Sequence, residues 1–334
     1  MTKPRLGFLG TGWIGRHRME AMLATGAVEA AAICDPAPEM RQEALALAPA
    51  ATAVDSLDAM LDLGLDGVVV ATPSAAHAAQ SIRALEAGCA VFCQKPLGRD
   101  AAQVRAVLDA ARRADRLLAV DLSYRHTAAV EAIATLVRQG TLGEVFAVDL
   151  TFHNAYGPDK PWFYDRRLSG GGCVVDLGVH LVDLALWTLG FPAVARVDAA
   201  LYAGGAPLAP HGDAVEDYAV ATLHLAGGTV VRLACSWRLH AGQDAVIEAS
   251  FHGSRGGAAM RNVGGSFYDF EAAHLEGTAR RTLATPPDAW GGRAAAAWAQ
   301  ALAGGQRFDP AAEKLYLVSD ALDRIYAAAR GSSG

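Results

Sequence analysis

Arg5-Leu6-Gly7-Phe8-Leu9-Gly10-Thr11-Gly12-Trp13-Ile14-Gly15 decides the fold of the first half of this chain. A short apolar run ends in three glycines spaced G-x-G-x-x-G, and a helical pattern follows through Met19, Met22 and Leu23. A second apolar run, Val28 to Cys34, ends in Asp35. Glycines alone are weak evidence, because turns are full of them. The order strand, glycine turn, helix, strand, acid is specific, and each part of it has a task in holding a dinucleotide. Gly10 permits a tight turn, Gly12 lets backbone amides approach a pyrophosphate, and Gly15 lets helix and strand pack closely. Thr11, Trp13 and Ile14 complete the turn and the helix N-terminus, whose free N–H groups and positive dipole end suit phosphates. Asp35 can accept hydrogen bonds from the adenosine ribose and would repel a 2′-phosphate. Pro36-Ala37-Pro38 brings no cation to offset that repulsion, and Arg41 lies further on, so NAD is favoured over NADP.

The strand–helix rhythm continues outward. Asp66 to Ala71 reads as a buried parallel strand, followed by Thr72-Pro73-Ser74 and a helix containing His77. Cys89 to Cys93 is another strand, ending in Gln94-Lys95-Pro96. Arg99 to Arg116 is helical, and Leu117 to Leu122 is again a strand, ending before Tyr124 and Arg125. Ligands bind beyond the carboxyl ends of such strands. Thr72, Pro73, Ser74, Gln94, Lys95 and Pro96 are therefore candidate cofactor contacts, and Lys95 is the outstanding candidate for chemistry.

After residue 122 the pattern changes. One helix, Ala128–Gln139, leads to extended segments with two-residue alternation: Glu144–His153, Val194–Tyr202, Val215–Leu225, Thr229–Leu239 and Ala245–His252. Turns such as Ala226-Gly227-Gly228 separate them, as expected for antiparallel hairpins. Helices return at Ala294–Leu302 and Ala311–Ala329, Ala203–Gly212 and Thr282–Gly292 read as loops, and Gly331–Gly334 reads as a disordered tail. The fold class is α/β: an N-terminal Rossmann domain over residues 1–122, then an α+β domain over 123–330 with an open, mainly antiparallel sheet. The C-terminal helices can pack back on the first domain.

Composition bounds the function. A chain of 334 residues is long enough for two cores, and 52% of it is hydrophobic. A net charge of −6 argues against nucleic-acid or anionic-membrane partners. No run of about 18 apolar residues suggests a membrane span. Lys3 and Arg5 are followed at once by glycines, so neither a signal-peptide core nor a twin-arginine pair is read at the N-terminus. Five cysteines, odd in number and without CxxC, suggest free thiols in the cytoplasm.

In the second half, Gly170-Gly171-Gly172-Cys173-Val174-Val175-Asp176-Leu177-Gly178-Val179-His180-Leu181-Val182-Asp183 carries three ionisable groups on an apolar flank. On a helix at about 100° per residue, Asp176, His180 and Asp183 fall within about 60° of one another. Buried charge is costly unless paired or used, so this stripe reads as the wall of a polar cavity. A plain i,i+4 pair is the bland alternative. A metal site is disfavoured, because no second His or Cys sits at ligand spacing on that helix. Cys173 lacks an evident base and reads as a packing residue. The loop from His153 to Tyr164, which includes Trp162, mixes aromatic and polar groups in a way that suits a sugar ring, and equally an interface or a loop packed on its own domain. His126, His153 and His240 receive no role.

Together these features resemble the glucose–fructose oxidoreductase/inositol dehydrogenase (Gfo/Idh/MocA) family, over nearly the whole chain. Four motifs match in order: the glycine turn with Asp35; Ala71-Thr72-Pro73-Ser74-Ala75-Ala76-His77; Gln94-Lys95-Pro96; and Gly170-Gly171-Gly172 with Asp176, Gly178, His180 and Asp183. The resemblance implies a Rossmann domain followed by an open sheet whose outer face forms oligomer contacts. It implies Lys95 as catalytic lysine, Asp176 and His180 as the aspartate–histidine pair, and Arg125 beside Tyr124 on the substrate side. Many members carry glutamate before the Lys-Pro, where this chain has Gln94. A neutral amide there would lower the lysine pKa relative to those relatives.

The chemistry follows from the side chains. Oxidising a secondary hydroxyl of a sugar, inositol or related polyol needs a base near neutral pH, which His180 supplies. Asp176 orients it, Lys95 stabilises alkoxide character, and Asp183 can accept from another substrate hydroxyl. Two other readings use the same residues differently: an NAD-assisted glycosidase or lyase, and a non-catalytic dinucleotide-binding regulator. Alternation over Thr229–Leu239 puts Val231, Leu233, Cys235 and Trp237 on one side. Helices can cover only one face of such a sheet, so the other predicts a homodimer or homotetramer.

Overall fold

The apolar runs of the first half become six parallel strands: β1 (Arg5–Leu9), β2 (Glu29–Cys34), β3 (Thr52–Ala53), β4 (Gly67–Val70), β5 (Ala90–Cys93) and β6 (Leu118–Val120). The structure is a computed structural model and describes residues 2–209 and 212–331. Of the tail expected at Gly331–Gly334, Gly331 ends a helix and the rest lies outside the described residues. Strand order β3-β2-β1-β4-β5-β6 has the crossover at β1 that defines a doubly wound sheet. β4 and β5 are buried at every residue, which explains why Gly-Val-Val-Val and Ala-Val-Phe-Cys do not alternate. The crossovers are α1 (Trp13–Ala24), α2 (Pro38–Leu47), α3 (Leu57–Leu61), α4 (Ser74–Glu86) and α5 (Ala101–Ala114). α5 starts where the Asp100 side chain accepts from the Gln103 amide at 2.8 Å, a standard N-cap.

The chain divides into two compact units, and they are not its sequential halves. The first comprises residues up to Ser123 together with Gly292–Leu315. Its core takes in the next apolar helix to form after the second sheet. Ala295, Trp298 and Ala299 join the cluster of Leu6, Phe8, Met19, Met22, Ile33 and Phe92, and the Trp298 ring lies 5.8 Å from that of Phe92.

The second unit, Tyr124–Gly291 and Tyr316 onward, holds a nine-stranded sheet. After α6 (Ala128–Arg138) comes β7 (Val145–Asn154), then α7 (Arg166–Ser169) and α8 (Val179–Thr188). β8 (Val194–Ala203), β9 (Ala206–Pro207), β10 (Tyr218–Leu225), β11 (Val230–Ser236), β12 (Ala245–Gly253), β13 (Gly257–Asn262), β14 (Phe270–Glu276) and β15 (Ala279–Ala284) complete the sheet. The helices α9 (Arg293–Ala303) and α10 (Lys314–Gly331) end the chain. The order is β15-β14-β13-β12-β7-β11-β10-β8-β9. The sheet is mostly antiparallel, with one departure from the expected hairpins. β7 pairs in parallel with β11, Arg232 opposite Asp149, because the chain leaves β7 through α8 and returns three strands later beside it.

The helix expected to carry Asp176, His180 and Asp183 is also modified. Val174–Gly178 is a π-helical turn, and regular α-helix begins only at Val179. The wider turn alters the angular spacing between Asp176 and the two later residues. Among the described residues, the stretch Arg166–Thr188 is long and apolar enough to cross a membrane, and 83% of its most apolar window is buried inside the protein. It is the central helical layer of the second unit.

Candidate active site

The glycine turn of the first unit behaves as its spacing requires. Gly10 has φ of +86°, and a Cβ there would stand 2.6 Å from the Ala71 carbonyl oxygen. Nothing lies within 4 Å of where a Cβ of Gly12 would sit, so the amide face at the start of α1 is open. An open cradle at a helix N-terminus fits a dinucleotide pyrophosphate. Trp13 is 59% exposed and stacks on His17, while Gly15 is buried. Thr11, expected among the cofactor contacts, is engaged by partners within its own unit. It is fully buried, because its amide donates to Asp35 Oδ2 at 2.6 Å and its hydroxyl faces the Met40 carbonyl. Thr11 and the Ala37 amide, which donates to Asp35 Oδ1 at 2.9 Å, aim the carboxylate. Arg41, the basic residue that follows Asp35, is paired with Asp55 at 2.9 Å, and Arg16, which reaches the Thr11 carbonyl, is paired with Glu43 at 2.5 Å.

His77 is likewise a tie, not a free contact. Its Nδ1 lies 2.7 Å from the Pro96 carbonyl and its Nε2 2.6 Å from the Thr72 carbonyl, so the buried ring fastens two strand-end loops together. Burial pulls its pKa below the ordinary histidine value, against the pull of the two carbonyls. Pro73 is exposed at the lip, Thr72 and Lys95 are half-buried, and Ser74 and Pro96 are buried. The Thr72 hydroxyl lies 2.5 Å from Gln80 Oε1, and the Lys95–Pro96 peptide is cis.

Gln94 has a partner that the sequence did not suggest. Its amide nitrogen donates to Asp121 Oδ2 at 2.7 Å, and the same oxygen accepts from Arg18 Nε at 2.6 Å. Asp121 is 1% exposed and Arg18 5%. One anion thus faces one cation and one neutral donor. A glutamate at position 94 would set a second carboxylate against Asp121 with a single guanidinium to share. We therefore expect Gln94→Glu to destabilise the protein by about 2 kcal/mol at neutral pH, as a shared carboxylate site raises one pKa above its unfolded value. A raised carboxyl pKa stabilises only below the unfolded value near 4, so the deficit should shrink as pH falls towards 4 and grow as it rises. Thermal melts of the variant and parent across that range measure it; a deficit independent of pH would contradict this account.

In the second unit, His180 is 7% exposed and its ring lies edge-on to Tyr124, with centroids 4.8 Å apart. Tyr124 is itself buried among Phe152, Phe270 and Trp290. Its ring forms part of the wall against His180, and burial drives its phenol far above the ordinary tyrosine pKa. Asp176 Oδ2 accepts from Trp237 Nε1 at 3.1 Å, a partner 61 residues away on the strand side. Asp183, expected to accept from a substrate hydroxyl, is engaged by Arg125. It is 2% exposed, and both its oxygens accept from Arg125, with Nε to Oδ2 at 2.7 Å. Burial pushes the Asp183 carboxyl up and the guanidinium fork pulls it back. Asp183 and Arg125 therefore satisfy each other, with Arg125 also facing the rings of Trp187 and Phe191, and neither stands open to a hydroxyl. Trp162 is half-buried and stacks on Phe163 at 3.8 Å.

The π turn is held from behind by Glu216. Its Oε1 accepts from the Gly172 amide at 2.9 Å, the Val174 amide at 3.0 Å and the Tyr326 hydroxyl at 2.7 Å. Gly172 is glycine because a Cβ would overlap the Glu216 main chain. Cys173 is fully buried against Cys235, their sulfurs 3.8 Å apart, and burial holds its thiol well above the usual range. It packs, as its lack of a base suggests. Arg18, Asp121, Glu216 and Tyr326 escaped the sequence reading, and Trp237 entered it only as a sheet-face residue, not as a partner of Asp176. The only trace of the first three is a charge inside or beside an apolar run. Among the described residues, no group of three or more metal-binding side chains gathers.

A parallel doubly wound sheet with an open glycine cradle, joined to a mixed sheet that carries a braced Asp–His helix, defines a two-domain dinucleotide-dependent enzyme. Residues 5–122 match the model described as an oxidoreductase family with NAD-binding Rossmann fold, and residues 130–259 match the GFO/IDH/MocA C-terminal domain. The chain belongs to the Gfo/Idh/MocA oxidoreductase family. It is 30% identical over 244 residues to the D-glucoside 3-dehydrogenase of Escherichia coli (strain K12), covering 70% of each chain. It is 30% identical over 259 residues to the inositol 2-dehydrogenase of Rhizobium meliloti (strain 1021), covering 77% of this chain and 76% of that one. The fold matches the apo form of levoglucosan dehydrogenase with a TM-score of 0.85 at 22% identity, over 100% of this chain and 98% of the other.

Proposed function

We propose that this NAD-dependent oxidoreductase acts on a secondary hydroxyl of a sugar, inositol or related polyol, with His180 as base. The observation that carries the reading is the buried His180 ring, seated on Tyr124 one helical segment after an aspartate that Trp237 holds in place. The names of the glucoside and inositol dehydrogenases among its relatives support the substrate class. NAD, when bound, supplies the hydride acceptor. His180 removes the hydroxyl proton, and Asp176 fixes the imidazole and favours its charged form. Lys95 donates to the reacting oxygen and stabilises alkoxide character. Arg125 and Asp183 act from behind, bracing α8 through their paired fork. Gly10, Gly12, Trp13, Ile14, Gly15 and Asp35 hold the dinucleotide, and Asp35 without a neighbouring free cation selects NAD over NADP.

A panel of free sugars, inositols and sugar acids, offered with NAD and with NADP and followed by nicotinamide absorbance, tests this reading. Net reduction of NAD by at least one member is expected. Asp35→Ser should narrow the gap between the two cofactors by relieving repulsion of the 2′-phosphate. Equal affinities in the unmodified protein would remove the role given to Asp35.

We also infer a homodimer or homotetramer built through the outer face of the nine-stranded sheet. Val231, Leu233, Cys235 and Trp237 point inward and are buried. Outward rows place Ala200 opposite Val220, which is 37% exposed, and Arg232 opposite Asp149. That mixture of apolar and paired charged positions suits an interface. Light scattering should report two or four chains at micromolar concentration, and a monomer would overturn the assignment. All five cysteines are free and buried, which supports a cytoplasmic setting.

A further inference from the structure

The second unit contains a cavity of about 130 Å³ beside α10, and none of the proposed catalytic residues lines it. Its lining includes Leu201, Leu208 and Ala329, the ring of Tyr326, and two arginines, Arg166 and Arg330. Among the described residues no carboxylate lines it, and neither guanidinium has an ion-pair partner. Two like charges beside an apolar hollow repel each other, and an anion placed with them relieves that cost. The volume restricts the rest of the ligand. A cavity of about 150 Å³ takes a benzene-sized body, so one ring or its aliphatic equivalent fits here and a long chain does not. Inorganic phosphate would satisfy the arginines but leave the apolar wall uncovered.

We propose that this cavity binds a small cyclic or aromatic monocarboxylate, its carboxylate held by Arg166 and Arg330 and its ring against Leu201 and Tyr326. The wall it touches is not passive. The Tyr326 hydroxyl donates to Glu216, whose same oxygen accepts from the Gly172 and Val174 amides at the start of the π turn. A ligand that packs on the Tyr326 ring restricts that side chain and steadies the turn two residues before Asp176. The cavity is therefore an effector site, and its existence does not depend on the hydride-transfer reading.

Calorimetric titration of the full chain with sodium benzoate tests the site directly. We expect saturable one-to-one binding with Kd on the order of 10⁻⁴–10⁻³ M, as befits a ligand of this size. Arg166→Ala and Arg330→Ala should each weaken it roughly tenfold, the worth of one charge-assisted hydrogen bond. Benzamide and acetate, each keeping half of the recognition, should bind at least about tenfold more weakly. No saturation, or binding unaltered in the double arginine variant, would overturn the site. The link to the turn has its own readout. Saturating benzoate should slow hydrogen exchange at the Gly172 and Val174 amides by about threefold or more. Tyr326→Phe, which keeps the ring, should still bind benzoate but lose that slowing. Unchanged exchange in the parent protein would show that the cavity is not coupled to the turn.

Discussion

His180→Ala should lower turnover by roughly 10²–10⁴-fold, the usual worth of a positioned general base, with NAD affinity nearly unchanged. The proposed base sits on the second unit's helix α8, whereas the glycine cradle belongs to the first, so the two properties should separate cleanly. Lys95→Ala should be comparably damaging to turnover and should also weaken substrate binding, because in the proposed mechanism the ammonium donates to the reacting oxygen. Asp176→Asn should be milder than loss of His180 if the aspartate serves by orientation, since an amide can still accept from Trp237 Nε1. A purely architectural histidine gives the opposite pattern. Its removal would open a hollow beside Tyr124 and lower the melting temperature, while activity per folded molecule stayed intact. Measuring both quantities on the same preparation distinguishes these outcomes, and near-normal turnover by His180→Ala with a good substrate would end the acid–base assignment.

The second large effect concerns stability. Glu216→Ala should cost about 3–5 kcal/mol, because it strands three donors, the Gly172 and Val174 amides and the Tyr326 hydroxyl, in a buried site. Glu216→Gln keeps a carbonyl oxygen for those donors and should cost much less. The pair of variants also carries a pH signature. Burial raises the Glu216 carboxyl above its ordinary value. A raised carboxyl contributes stability below the unfolded value near 4.5, and that contribution is lost as pH rises through the folded value. The parent should therefore lose stability relative to Glu216→Gln over that rising interval. Melting curves that track each other across pH, or an alanine variant as stable as the parent, would contradict the latch.

Much of the first unit was legible because its determinants are local. Arg5–Leu9, the glycine turn and Asp35 lie within one strand–helix–strand stretch, and glycines, apolar runs and strand ends fix that stretch without distant help. The motif residues of the second unit were also legible, since Asp176, His180 and Asp183 share one short segment. Their partners were not. Trp237 reaches Asp176 across 61 residues, Gln94 meets Asp121 across 27, and Arg18 meets the same carboxylate across 103. No periodicity encodes such pairings. The π turn is equally silent in sequence, because Val174–Gly178 has the apolar composition of any buried helix. Thr11, His77 and Asp183 read as ligand contacts because motifs give residue types, and their partners, Asp35, the Pro96 and Thr72 carbonyls, and Arg125, leave no mark in those motifs.

The parallel pairing of β7 with β11 bears on how the second unit is made. β7 lies at the centre of its sheet, yet its neighbours arrive late: Arg232 joins Asp149 across 83 residues, and His252 joins the same residue across 103. Until those segments leave the ribosome, β7 is a ten-residue strand with both edges bare. Contacts of such high sequence separation fold slowly, and an unpaired strand invites pairing with another nascent chain. A ribosome stalled before Val230 would hold a chain with a completed first parallel sheet and an uncovered β7, and such a chain is the form of this protein that chaperones should bind most avidly.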